Sequence, residues 1–141
     1  MNQVHLAEEL LSRILAREPR YHEQAHLFVL SSIEFLQSRL PFRRHVTGQE
    51  VSVAVREHAL EQFGLMAPAV LRYWGIAGSV DVGRIVFALV DVGLLVAQPS
   101  DRLEDFERVW DLDTGFAEGS YEWRGVSGPG SGGAVRRREA M

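Results

Sequence analysis

At 141 residues, 46% of them hydrophobic, with a formal net charge of −4, the chain suits a globular protein with a packed core. It has no cysteine, which excludes a disulfide, a thiolate metal site and a thiol nucleophile. No apolar run approaches the ~20 residues that cross a bilayer, and no basic-then-apolar leader is present, so a cytoplasmic protein is expected.

All 15 basic residues are arginine. Removing Arg136, Arg137, Arg138 and Glu139 from the 15 basic and 19 acidic residues leaves 12 against 18 in residues 1–126. A non-specific DNA-binding domain usually carries a basic field instead.

Residues 3–17 place Val4, Ala7, Leu11 and Ile14 at spacings of three and four, an amphipathic helix that Pro19 ends. Residues 20–40 form the most regular stripe: Tyr21, Ala25, Phe28, Val29, Ile33, Leu36 and Leu40, stopped by Pro41. The linker 41–47 follows. Thr47 and Glu50 have capping-box spacing, so a helix is expected from Gly48 to Phe63, closed by Gly64. Pro68 suits the first turn of a short helix, 67–74, that buries Trp74. Ser79 as N-cap opens a helix at 80–92, with Ile85, Val86, Leu89 and Val90 as its core.

The period then changes. Leu94 to Ala97 reads as a short strand, Pro99 to Asp101 as a turn, and Phe106 to Trp110 as either a returning strand or a helical turn. Phe116, Tyr121 and Trp123 suit residues 114–126 to docking on the body. Residues 127–141, rich in Gly, Ser and Arg, suit a disordered tail.

Helices at 48–63, 67–74 and 80–92 followed by a hairpin have the order of a winged helix. The expected fold is mainly α with a small β-hairpin. A helical pair (1–46) precedes a winged-helix-like unit (47–113) within one domain, 1–126. Helix 80–92 would be the recognition helix of a DNA-binding version. Its face offers Asp81, Gly83, Arg84, Ala88 and Asp91, where only Arg84 could grip guanine. The wing would carry Asp101, Glu104, Asp105, Glu107, Asp111 and Asp113, which phosphate repels.

YHEQAHLFVLSSIEFL, RRHVTGQE, the WGI of Trp74 to Ile76, GRIVFALVDVGLL and DFERVWD together resemble an uncharacterised conserved family known mostly from planctomycetes and verrucomicrobia. The resemblance spans roughly residues 6–116. It implies a small soluble cytoplasmic protein and brings no activity, cofactor or catalytic residue with it.

Three features bear on chemistry. HEQAH, His22 to His26, matches the zinc-hydrolase pattern H-E-x-x-H, in which His22 and His26 would be metal ligands and Glu23 the general base. No third ligand is legible, so the plainer reading has both histidines flanking the apolar stripe. Arg39, Arg43, Arg44 and His45 form a basic cluster, read either as an anion or nucleic-acid contact or as pairing with the acidic segment 101–113. Gly83 costs roughly 1 kcal/mol against alanine inside a helix, so something is expected to approach closely there. The leading expectation is a non-enzymatic interaction or regulatory module, without a cofactor and with a protein partner. Its alternatives are a winged-helix nucleic-acid-binding regulator using Arg84 and Arg43–Arg44, and a zinc hydrolase.

Overall fold

In the computed structural model Thr47 accepts the N–H of Glu50 while the Glu50 carboxylate accepts the N–H of Thr47, so the expected capping box is formed. It opens α3 (Gly48–Phe63), which follows α1 (Asn2–Arg17) and α2 (Glu23–Ser38) and precedes α4 (Ala67–Tyr73) and α5 (Ser79–Asp91). Short 3₁₀ turns occupy Gly64–Met66 and Leu103–Phe106. Residues 2–116 are described, with side chains from Glu8 onward. Residues 117–141, with Tyr121, Trp123 and the proposed tail, lie outside them. Among the described residues no helix is long and apolar enough to cross a membrane.

The helices appear where the apolar period and the caps predict them, because each signal acts within one or two turns. Ala25, Phe28, Val29 and Ile33 of α2 meet Val51, Val55, Ala59 and Leu60 of α3 and Val82, Ile85 and Leu89 of α5 in one core. Two boundaries shift. α2 begins at Glu23, so Tyr21 is buried just ahead of the helix. Ser79 is not the N-cap of α5; Gly78 is, and Ser79 is the first helical residue.

The expected β-hairpin and wing are absent: no strand forms among the described residues, and this is not a winged helix. Residues 94–97 find no strand partner among the described residues, because the returning chain satisfies its backbone elsewhere. Ser79 N–H donates to the Trp110 carbonyl (2.9 Å) and Leu112 N–H to the Ala77 carbonyl (3.0 Å), leaving one isolated bridge, Gly78 to Asp111. The buried Ser79 hydroxyl donates to the Phe106 carbonyl (2.6 Å) and accepts the N–H groups of Val109 and Trp110. The return is thus laced to the α4–α5 turn, and side chains do the rest. The Phe106 ring lies where a Cβ at Gly83 would come within 2.7 Å and one at Gly48 within 2.9 Å. The close approach expected at Gly83 is made by this chain itself. Trp110 Nε1 donates to the Ser52 carbonyl (2.7 Å), and Phe116 packs edge-on against Trp110.

Candidate functional site

The structure sends the two histidines of HEQAH in different directions. His22 is the N-cap of α2, with extended backbone, and its Nδ1 accepts the Gln24 N–H at 3.0 Å. Its exposed ring lies beside Tyr73. His26 is on the helix proper and fully buried, edge-on to Tyr21. With the helix starting at Glu23, His22 stays outside it as an exposed cap while His26 is in the core. Among the described residues no three His, Asp or Glu side chains are grouped to hold a metal ion.

Among the described residues neither His26 nitrogen makes a hydrogen bond of full geometry, although the Glu18 backbone approaches the ring. Burial pushes its pKa below the ordinary histidine value, against the opposing pull of the Glu18 backbone and carboxylate. His58 on α3 is buried but satisfied: its ring is stacked between Phe28 and Phe35 at 4.7 and 4.6 Å, and Nδ1 lies 2.9 Å from Ser32 Oγ. Burial, reinforced by Arg39 and opposed by Glu61, lowers its pKa as well. Sequence reading missed this serine–histidine pair, because helices 26 residues apart had to pack before it existed. Ser32 is wholly buried and also donates to the Phe28 carbonyl, so the pair ties α2 to α3 and faces no open cavity for a substrate.

The basic cluster is paired, but only one pair reaches segment 101–113. Arg39 meets Glu61 at 3.7 Å and lies over the Phe35 ring; Arg43 meets Glu34 at 3.1 Å; Arg44 meets Glu50 at 2.9 Å. His45 alone reaches across, with Nε2 3.0 Å from Asp101. Two of the other acids have local duties: Asp105 accepts the Arg102 N–H, and Asp111 the N–H and hydroxyl of Thr114. Burial would raise the Glu50 pKa, yet Arg44 and Thr47 together hold it below the usual carboxylate value. Arg84, the expected base reader, meets Asp81 at 2.8 Å. Asp81 also accepts the Tyr21 hydroxyl and the N–H groups of Ala77 and Gly78. Burial and that carboxylate push the Tyr21 pKa up to about 12.

These pairs border a groove of about 300 Å³. Its lining includes Leu30 and Ile33 of α2, Val46 of the linker, Val86, Phe87 and Val90 of α5, and Leu94 and Leu95 beyond it. Arg43, Arg44 and His45 lie along one rim, and Val96 and Ala97 along another part of the lining. Val96 is 89% exposed, and Phe42, next to Arg43, is 69% exposed. Val86 and Val90, expected as core, are only half-buried here. The signal available in the sequence was the apolar surplus of GRIVFALVDVGLLV, more than one helix face can hide.

Compared with known proteins, the chain matches no family model, no curated protein and no solved structure.

Proposed function

We propose that this protein is a non-enzymatic interaction module whose groove between α2, the arginine linker, α5 and residues 94–97 receives a segment of a protein partner. The observation that carries this reading is the apolar part of the lining, which includes Val96 at 89% exposure. Exposed apolar surface in contact with a concave lining is the usual mark of a recognition site. The segment it suits bears apolar anchors beside a carboxylate. Arg43 holds Glu34 only on open surface, where solvent and salt screen the pair, so a partner acid can take its place. Nothing carried by the family resemblance adds an activity to this reading.

The nucleic-acid alternative has lost most of its supports: the wing is absent, and Arg84 and Arg44 each hold a carboxylate in a partly buried pair. Peptide display against the purified full chain tests the proposal. Enriched peptides should combine apolar anchors with acidic residues, and Val96→Glu should abolish their capture while helical circular dichroism stays unchanged. Enrichment that survives Val96→Glu, or no enrichment, rejects it. Duplex DNA retained at low salt, and released by Arg43→Ala with Arg44→Ala, would restore the nucleic-acid reading.

A further inference from the structure

A second cavity lies over the outer face of α5. Arg84, Phe87, Ala88 and Asp91, at helical spacings of three and four, form its floor; the end of α1 (Arg17, Glu18) and Asp101, Arg102 and Leu103 wall it. Its volume is about 600 Å³, within the range of small-molecule sites, roughly 300–1,000 Å³. The α5 face expected to reach into DNA therefore borders a shallow, open cleft.

The lining holds both signs of charge, so the partners of each group decide what a ligand would meet. Arg17 and Asp91 neutralise one another at 2.8 Å. Glu18 is held by Arg20, from outside the cavity, at 2.8 Å. Asp101 has both carboxylate oxygens taken, one near His45 Nε2 and one by the Gln98 N–H. Arg84 spends one N–H on Asp81 and is also engaged by the Tyr21 hydroxyl, which leaves the rest of its five N–H groups in hand. Arg102 is exposed and makes no ion pair among the described residues. The cation of the lining without an ion pair among the described residues is the Arg102 guanidinium, which borders the cleft with Phe87, Ala88 and Leu103, while Asp101 keeps its charge with both oxygens hydrogen-bonded. A guanidinium binds a planar carboxylate through two parallel N–H bonds, and the apolar side chains can cover a hydrophobic body.

We propose that this cleft binds a small organic carboxylate, with its anionic group on Arg102 and Arg84 and its body on Phe87, Ala88 and Leu103. The cleft adjoins the peptide groove and shares Phe87 and Asp101 with it, but Arg84, Ala88, Arg102 and Leu103 line this cleft and not the groove.

Titration of the isotopically labelled full chain with benzoate, followed by amide NMR shifts, tests the assignment. Benzoate should move the amides of Arg84, Phe87, Ala88 and Arg102 saturably. Arg102→Gln, an exposed change that leaves the core alone, should weaken binding about tenfold, the expected effect of losing one charge-assisted hydrogen bond. Benzyl alcohol, which lacks the charge, should bind the unaltered protein about as weakly as benzoate binds the variant. Three outcomes overturn the proposal: no saturable shift at these residues, equal affinity in Arg102→Gln, or inorganic phosphate moving the same amides as strongly as benzoate. The last would mean an ion contact that reads no organic body.

Discussion

The start of α3 and the return segment 98–116 meet the same demand, partners for backbone donors and acceptors, in opposite ways. Thr47 and Glu50 satisfy each other across three residues. The return segment relies on Ser79, whose hydroxyl serves Phe106, Val109 and Trp110 from 27 to 31 positions away. A local device forms wherever its residues occur. A distant one forms only after α5 has packed, so it depends on the whole fold and tests it.

The largest effect is expected at the distant device. Phe106→Ala removes the ring that fills the hollow between Gly48 and Gly83, where neither residue has a side chain to replace it. A loss of about 3–5 kcal/mol is expected, measured by urea unfolding. If the loss is under about 1 kcal/mol, the return segment is an appendage and the comparison fails.

An intermediate effect comes from a place where the helical pattern ran ahead of its chemistry. His26 falls on the core face of α2 by period alone and makes no hydrogen bond of full geometry there. Its folded pKa and that of His58 are both lowered, chiefly by burial. The folded state therefore binds fewer protons than the unfolded chain below about pH 6.5, and each histidine contributes up to about 1.4 kcal/mol of lost stability per pH unit as the pH falls from there. His26→Met removes a poorly partnered polar ring from the core. It should raise stability at pH 7 by about 1–2 kcal/mol and make the acid limb shallower. An unchanged limb in thermal melts between pH 7 and pH 5 would show that His26 is not buried neutral.

The smallest effect tests the local device. Thr47→Ala should cost about 1 kcal/mol in the same urea assay and leave the tertiary fluorescence of Trp110 unchanged. A cost as large as that of Phe106→Ala would erase the contrast between the two regions.

The helices were legible because their signals are short-range. Thr47 and Glu50, Pro68 and the apolar spacing of α2 state where chain should coil, whatever lies nearby. The hairpin was misread for the converse reason. Leu94 to Ala97 and Phe106 to Trp110 carry strand-like composition, but strand pairing needs a partner, and the partner of Trp110 and Leu112 proved to be the Ala77–Ser79 turn. The candidate site was legible as residue types and not as an arrangement. Arg39, Arg43, Arg44 and His45 stood out as a cluster, yet which carboxylate each would meet follows from the angle at which α2, α3 and the linker pack. HEQAH matched a zinc pattern only as letters, and a match of letters says nothing about the helix beginning at Glu23.

By itself, then, the sequence determined where the helices lie, how α3 is capped and which faces are apolar, since a period of 3.6 residues and a cap spanning three are complete within a turn or so. Only the tertiary structure decided that Ser79 organises the return, that Ser32 and His58 meet, that Val86 and Val90 line an open groove, and that Arg102 makes no ion pair among the described residues. Each of these depends on residues far apart in the chain, and their separation is set only when the core closes.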